Sequence, residues 1–213
     1  MAEPPDNSIA SSSISSSLLT GEGIILDIGT GDGHFVYQSA RRNQQKLYIG
    51  IDANTRPLEK ISEKIYRKPE KGGLSNVLFL QAAVEDLPSE LDGVADEIHV
   101  HFPWGSLLRA MATGEAAVLG NLRRLCVPGA LLEVIIGLDA ERDQTELERL
   151  HLPELTVEHV DSTLATSYLQ AGFEVTERGT FLPEDWPDLQ TSWAKRLMQN
   201  RKRSLIYLIA RAV

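Results

Sequence analysis

Short apolar runs alternate with amphipathic segments through most of the chain, a pattern typical of an α/β protein. The apolar runs predict seven strands, at residues 23–28, 47–51, 76–81, 97–102, 131–137, 173–180 and 204–210. The segments between them predict helices at residues 34–43, 56–68, 116–126 and 162–171. In the second of these helices, Leu58, Ile61 and Ile65 share one face at helical spacing. Such alternation predicts a doubly wound, mainly parallel sheet with helices on both faces.

Three segments depart from this alternation. Residues 138–161 and 182–200 are interpreted as excursions from the sheet, and the strands joined through the second excursion can form an antiparallel edge. Residues 1–20 are rich in serine and include two adjacent prolines, a composition typical of a mobile arm. A chain of 213 residues is long enough for one domain with a large core, which we expect at residues 21–213.

The first predicted strand ends in a glycine-rich loop, where Gly29, Gly31 and Gly33 occupy alternate positions. Because glycine has no Cβ, the backbone of this loop can approach a ligand closely, and the next helix points its N-terminus at it. Asp52 ends the second strand about 20 residues later, where a nucleotide site has its ribose-binding carboxylate. The residues therefore predict a nucleotide-type cofactor at this edge of the sheet.

The details of the loop favour S-adenosylmethionine over a nicotinamide or flavin cofactor. His34 occupies the place of the third glycine of a dinucleotide motif, and Asp27 lies two residues before the first glycine. An anion there would repel a pyrophosphate, but it suits the ammonium and sulfonium groups of S-adenosylmethionine. Asp52 would accept both ribose hydroxyls. A purely structural turn would explain the glycines but neither acid.

The third and fourth strands end in further candidate residues. After the third strand, Glu85 and Asp86 can accept the adenine amino group of the cofactor, or they can cap a turn before Pro88. Within the fourth strand, His99 and His101 are two residues apart and so lie on one face of the strand. The sequence offers no cysteine or carboxylate at ligand spacing to them, so we predict no metal site.

Aromatic residues near the fourth strand indicate that the methyl group is transferred to a nucleobase. Phe102, Pro103 and Trp104 place a rigid proline and a large π face beside the expected methyl group, as methylation of a nucleobase requires. Trp193 could complete a sandwich around a flipped purine, with stacking worth about 1–3 kcal/mol per base. It also lies on an apolar stripe with leucines four residues to either side, and the residues alone favour a core position for it.

Composition and charge narrow the class of partner. The single cysteine, Cys126, excludes an internal disulfide and suits a reducing cytoplasm, and no apolar run is long enough to span a membrane. A net charge of −9 argues, taken alone, against a nucleic acid, but no acidic residue follows residue 188. Residues 189–213 therefore form either an anion-binding surface or a solvated helix face. The basic residues of this segment are Lys195, Arg196, Arg201, Lys202, Arg203 and Arg211.

Several motifs together resemble a known family. They are residues 24–33 (IILDIGTGDG), 48–52 (YIGID), 68–76 (KPEKGGLSN), 102–106 (FPWGS), 192–197 (SWAKRL) and 201–203 (RKR). With them the sequence resembles, over about residues 24–204, the 16S rRNA adenine-N1 methyltransferases of the kanamycin–apramycin resistance type. The resemblance implies a class I S-adenosylmethionine-dependent, Rossmann-like methyltransferase fold. It also implies methylation of a decoding A-site adenine in the small ribosomal subunit, which gives aminoglycoside resistance.

The resemblance implies a role for individual residues. Trp104 and Trp193, with Phe102 and Pro103, hold the target base, which replaces the core interpretation of Trp193. The implied cofactor-binding residues are Asp27, Gly29, Gly31, Asp52, Ala53, Val84, Glu85, His101, Ser106, Thr191 and Ser192. The implied RNA-binding residues are Arg67, Lys68, Lys71, Lys195, Arg196, Arg201 and Arg203, which we expect to form one positive surface around the cofactor mouth. The sequence departs from the family in its serine-rich N-terminus and in Glu70, an acid among these cations.

The implied mechanism needs no general base. Adenine N1 has an in-plane lone pair and is unprotonated at neutral pH, so that catalysis is mainly positioning. We expect a cytoplasmic monomer that uses neither a membrane nor a metal. The alternatives are a tRNA (guanine-N7)-type methyltransferase and a non-catalytic RNA protein that binds the cofactor.

Overall fold

The computed structural model of the protein describes residues 23–139, 142–182, 185–186, 191, 194 and 205–213, and its centre is a seven-stranded sheet. The strands are β1 (Ile24–Ile28), β2 (Leu47–Asp52), β3 (Val77–Gln81), β4 (Ala95–His101), β5 (Cys126–Ile136), β6 (Phe173–Phe181) and β7 (Leu205–Ala212). Their order in the sheet is β3-β2-β1-β4-β5-β7-β6. The first five pair in parallel, whereas β7 is antiparallel to both β5 and β6, as predicted for the edge.

Helices cover both faces of the sheet. They are α1 (His34–Arg42), α2 (Glu59–Ile65), α3 (Gly105–Thr113), α4 (Ala116–Leu125), α5 (Gln144–Leu150), α6 (Val157–His159) and α7 (Ala165–Gln170). A 3-10 turn, Arg56–Leu58, precedes α2, and a π-helical turn, Val160–Leu164, joins α6 to α7. The predicted α/β fold is confirmed. No helix in the described ranges is long and apolar enough to cross a membrane.

The core lies in two layers, one on each side of the sheet. The smaller layer packs α1 and α2 against β1 and β2 through residues such as Val36, Tyr37 and Ile61. The larger layer packs α3, α4 and α7 against the opposite face, with Leu108 and Leu119 fully buried. All residues of β1 are buried, because this central strand is covered on both faces.

Several predicted boundaries were wrong. Helix α2 ends at Ile65 and not at residue 68, and a separate 3-10 turn, Pro69–Lys71, follows it. Helix α3 was not predicted at all. Strand β5 begins at Cys126 and not at residue 131, so that it includes Pro128 and Gly129, and its pairing with β4 is irregular between Ala95 and Glu97. Most of the second excursion lies outside the described residues.

Candidate active site at the carboxyl ends of the parallel strands

The carboxyl ends of β1 to β4 surround a cavity of about 290 Å³. Because these strands are parallel, their last residues meet at one edge of the sheet. The structure brings together at this cavity Asp27, Gly29, Gly31, Asp52, Ala53, Val84, Glu85, His101, Phe102, Pro103, Trp104, Ser106 and Thr191. Trp193 and Ser192 lie outside the described residues. Thr30, Phe35 and Leu107 also line the cavity, although the sequence did not single them out.

The glycine loop is shaped by backbone conformations that other residues rarely adopt. Gly29, Gly31 and Gly33 have φ angles of 76°, 59° and 70°. A Cβ at Gly29 would lie 2.8 Å from the Leu107 side chain, whereas a Cβ at Gly31 would meet no atom within 4 Å. The first glycine therefore permits close packing against α3, and the second presents its backbone to the open cavity.

Asp52 accepts two backbone hydrogen bonds that the sequence did not predict. One of its carboxylate oxygens accepts a hydrogen bond from Gly31 N–H at 2.8 Å, and the other accepts from Asn54 N–H at 2.8 Å. The side chain thus ties the glycine loop to the end of β2. Each oxygen has a second lone pair, so that Asp52 keeps acceptor capacity for ribose hydroxyls.

Asp27 is buried on the floor of the cavity, with only 3% of the residue exposed. Burial raises the pKa of its carboxyl group, and the charge of the nearby His101 opposes part of that rise. A buried carboxylate of this kind is poised to gain from a cationic ligand, because the ligand would replace the lost solvation.

A chain of charged side chains runs from the cavity along the sheet. Glu133 Oε1 lies 2.6 Å from His101 Nε2 and 3.0 Å from His99 Nδ1. Glu97 lies 3.5 Å from His99 Nε2 and accepts a hydrogen bond from Lys46 Nζ at 2.7 Å. Sequence spacing concealed Glu133, because its proximity depends on the β4–β5 register, which pairs His99 with Glu133.

These contacts shift the pKa values of their members. Burial lowers the pKa of His99, but hydrogen bonds to Glu133 and Glu97 outweigh burial and raise it to about 9. The hydrogen bond with His99 is the main reason that the pKa of Glu97 falls to about 2. Burial raises the pKa of Glu133, yet its hydrogen bonds with His101 and His99 hold that pKa well below its usual range. Near neutral pH, His99 is therefore a cation that pairs with the carboxylates of Glu97 and Glu133.

The loop after β4 holds Trp104 at the edge of the cavity. Phe102 has a φ of 50°, an uncommon conformation for a bulky residue, and its N–H donates to the Ile135 carbonyl at 2.8 Å. Trp104 directly precedes α3 and is 50% exposed. An aromatic face this exposed beside a cavity is available to stack on a ligand.

The loop after β3 is fixed through its backbone. The Asn121 side chain donates to the carbonyls of Val84 and Glu85, at 3.0 and 3.2 Å. The 3-10 turn that follows, Ser89–Leu91, has Pro88 as its N-cap residue and no side-chain capping hydrogen bond, so neither Glu85 nor Asp86 caps that turn. Glu85 is exposed and lines the cavity.

The predicted basic turn lies apart from the cavity mouth. Arg67, Lys68 and Lys71 are exposed, but none of them lines the cavity. The turn leads into the amino end of β3, and Tyr37 on α1 anchors it by donating to the Gly72 carbonyl at 2.9 Å. The expectation that these three cations surround the mouth is therefore wrong. The other predicted RNA-binding residues, Lys195, Arg196, Arg201 and Arg203, lie outside the described residues.

The sheet order, the glycine loop and the acids at the ends of β1 and β2 define a class I S-adenosylmethionine-dependent methyltransferase. A family model described as "NpmA: 16S rRNA (adenine(1408)-N(1))-methyltransferase" matches residues 8–212. The chain belongs to this family.

Individual relatives agree with this assignment. A 16S rRNA (adenine(1408)-N(1))-methyltransferase of Streptoalloteichus tenebrarius is 41% identical over 180 residues, which are 84% of this chain and 82% of the relative. The crystal structure of the aminoglycoside resistance methyltransferase NpmB1 is similar at 45% identity and a TM-score of 0.83, covering 95% of this chain and 93% of that one. A mutant 16S rRNA (adenine(1408)-N(1))-methyltransferase from Catenulisporales acidiphilia, crystallised with the cosubstrate S-adenosylmethionine, has 35% identity and a TM-score of 0.86 over 95% of this chain and 91% of its own.

Proposed function

We propose that this protein methylates N1 of the A-site adenine of 16S rRNA in the small ribosomal subunit, and so confers aminoglycoside resistance. The observation that carries the proposal is the exposed Trp104 at the rim of a cavity that is otherwise lined by cofactor-type residues. This cavity can hold the methyl donor while the tryptophan receives a base from outside.

The cavity residues fit S-adenosylmethionine. Asp27 supplies a buried negative charge for the cationic amino-acid end, and Asp52 supplies free lone pairs for the ribose. The open space over Gly31 lets the loop backbone contact the cofactor. Val84 and Glu85 would hold the adenine ring, because their loop is anchored by Asn121. When bound, the cofactor supplies an electrophilic methyl group.

The protein's part in the reaction is to position the base. Trp104 would stack on the flipped adenine, and Trp193 is proposed as the second face of the clamp. N1 attacks with its own lone pair, the methyl–sulfur bond breaks, and the products are 1-methyladenosine and S-adenosylhomocysteine. No base or metal ion is needed, since N1 carries no proton to remove. His101, the imidazole in the cavity wall, is already engaged by Glu133.

Docking on the ribosome is assigned to cations outside the cavity. The chain has a net charge of −9, so an RNA contact requires a local concentration of positive charge. Arg67, Lys68 and Lys71 provide one such group on an exposed turn. We assign the remaining phosphate contacts to Lys195, Arg196, Arg201 and Arg203. The proposed form is a monomer that acts in the cytoplasm.

Transfer of a labelled methyl group tests this proposal. The protein is incubated with labelled S-adenosylmethionine and one of three substrates: small ribosomal subunits, naked 16S rRNA or tRNA. We expect label in the small subunits and its absence from tRNA. Label in tRNA alone would establish the guanine-N7 alternative, and binding without any label would establish the non-catalytic one. A Trp104→Ala variant controls for methylation by contaminating enzymes.

A further inference from the structure

His99, His101 and Glu133 form a cluster that the proposed reaction does not use as a unit. The two imidazoles and the carboxylate each offer one donor atom, and these atoms all lie within 4.8 Å of one another. Imidazole nitrogens and carboxylate oxygens are the donors that zinc and related divalent transition metals take in proteins. The carboxylate that the sequence did not supply at ligand spacing is therefore present in space.

The sheet itself creates this arrangement. His99 and His101 are two residues apart on β4, so that their side chains leave the same face of the strand. Glu133 lies directly beside His99 in the register of β5. Phe35 of α1 closes one side of the cluster, with its ring centroid 5.0 Å from that of His99 and 4.7 Å from that of His101. The three donors are thus held by two paired strands and one packed ring.

We propose that His99 Nδ1, His101 Nε2 and Glu133 Oε1 bind one divalent transition-metal ion of the zinc class. At metal–ligand distances of about 2.0–2.1 Å, tetrahedral donors lie roughly 3.3 Å apart. The present separations from Glu133 Oε1 are 2.6 Å and 3.0 Å. Both separations would widen by roughly 0.3–0.7 Å, and the two imidazole nitrogens, which lie within 4.8 Å of one another, would take the same spacing of roughly 3.3 Å. The ion would displace the imidazole protons that Glu133 now accepts, and these protons would be released to solvent.

A fourth side chain, Glu97, lies where it can orient His99 as a metal ligand. Metal-bound histidine usually donates its other ring N–H to a carboxylate, which fixes the orientation of the ring. Glu97 Oε2 lies 3.5 Å from His99 Nε2, and Lys46 holds Glu97 from its other side. Glu133 has 26% of its side chain exposed, compared with 3% for His101, so the ion can enter from the Glu133 side.

The bound ion would join β4 to β5 beside the cavity. His101 belongs both to the cluster and to the cavity wall, and coordination would fix its ring. The role assigned to the metal is therefore structural, and the methyl transfer itself does not pass through it.

Metal titration of tag-free, chelator-treated protein tests the site without rRNA or cofactor. We expect one Zn²⁺ per chain by calorimetry with a micromolar or lower Kd, and Co²⁺ should give the visible absorption of nitrogen and oxygen coordination. Glu133→Gln should weaken Zn²⁺ at least 10-fold. Glu97→Gln keeps all three ligands but loses the carboxylate that orients His99, so it should weaken Zn²⁺ binding about 10-fold. Glu174→Gln, the same change at an exposed position of β6, should leave Zn²⁺ affinity unchanged.

The melting temperature of each metal-free variant shows whether it is folded, and His99→Asn serves as a second test if Glu133→Gln is not. Absence of stoichiometric binding to the wild type would overturn the proposal. Binding that survives unchanged in folded Glu133→Gln or His99→Asn would also overturn it. Neither result bears on the rRNA reaction, which is measured separately by labelled methyl transfer.

Discussion

At the scale of single residues, two acids at the same cavity are held in opposite ways. Asp27 is buried with a raised pKa, whereas Asp52 is half-buried and both of its oxygens accept backbone N–H groups. Burial of Asp27 therefore destabilises the folded protein when no ligand is bound, whereas the hydrogen bonds of Asp52 stabilise the glycine loop. Sequence position suggested a ligand role for both, but only the structure shows that they differ in what they contribute to stability.

Replacement of Asp27 by asparagine is expected to separate binding from stability. Burial raises the pKa of this carboxyl group in the folded state, so stability is lost as pH rises through its titration. Asp27→Asn should remove that loss and raise the free energy of unfolding near pH 7. It should also weaken S-adenosylmethionine at least 10-fold. Calorimetry and thermal unfolding check the two effects.

The matched change at the other acid is the control. Asp52→Asn should weaken the cofactor without stabilising the fold, because its oxygens already accept two hydrogen bonds. If Asp27→Asn bound the cofactor as the wild type does, Asp27 would not lie at the cationic end of the ligand.

Trp104 offers a second test at the residue scale. The side chain is half-exposed, so Trp104→Ala should change the free energy of unfolding by less than about 0.5 kcal/mol. Loss of stacking worth about 1–3 kcal/mol should slow methyl transfer about 5- to 150-fold. Trp104→Phe should keep an intermediate rate, and cofactor affinity should remain near that of the wild type. Equal rates for all three proteins would show that this ring does not hold the base.

At the scale of elements, the strands could be predicted because each is an apolar run bounded by loops. The missed helix, α3, has no such boundary at its N-terminus. Its N-cap residue is Trp104, which makes no side-chain capping hydrogen bond, and glycine begins it. Its buried face, which includes Leu107, Leu108 and Met111, follows directly on the loop after β4. No local signal therefore marked the start of this helix after that loop, although Gly114, in the left-handed conformation, marks its end.

The glycine loop gives a prediction at this scale. Gly29→Ala combines a positive φ with a Cβ 2.8 Å from Leu107, whereas Gly31→Ala has the positive φ alone. The strain costs about 1–2 kcal/mol at either position, and overpacking adds about 1–3 kcal/mol at Gly29. Denaturant unfolding should therefore rank Gly29→Ala as the less stable variant. Gly31→Ala should lose cofactor affinity, because its methyl group occupies the cavity side of the loop. The reverse ranking of stability would contradict the packing of the loop on α3.

At the scale of the whole molecule, the cofactor half of the site could be predicted from sequence more fully than the rest. These glycines and acids lie at or just after the carboxyl ends of their strands, so topology alone brings Asp27, Gly29 and Asp52 together. The basic turn was misplaced because spacing along the chain does not reveal which edge of the sheet a loop occupies. Glu133 was missed for a related reason, since it meets His99 only through the pairing of β4 with β5.

Salt dependence tests how a protein of net charge −9 holds RNA. If Lys68 contacts a phosphate, Lys68→Ala should lower the slope of log affinity against log salt by about 0.7–0.9, with a similar effect for Lys71→Ala. Filter binding to small subunits over a range of salt concentrations measures this slope. Arg149→Ala removes one cation that is already paired with Glu146, and it should leave the slope unchanged. Unchanged slopes in both lysine variants would remove the basic turn from the RNA interface.

The most direct test of adenine-N1 methylation is primer extension on 16S rRNA from small subunits treated with the protein and S-adenosylmethionine. A methyl group on N1 blocks base pairing, so reverse transcriptase should stop at the A-site adenine. The stop should be absent without cofactor and much weaker with Trp104→Ala. Full-length extension through the A site with fully folded wild-type protein would contradict the proposed function.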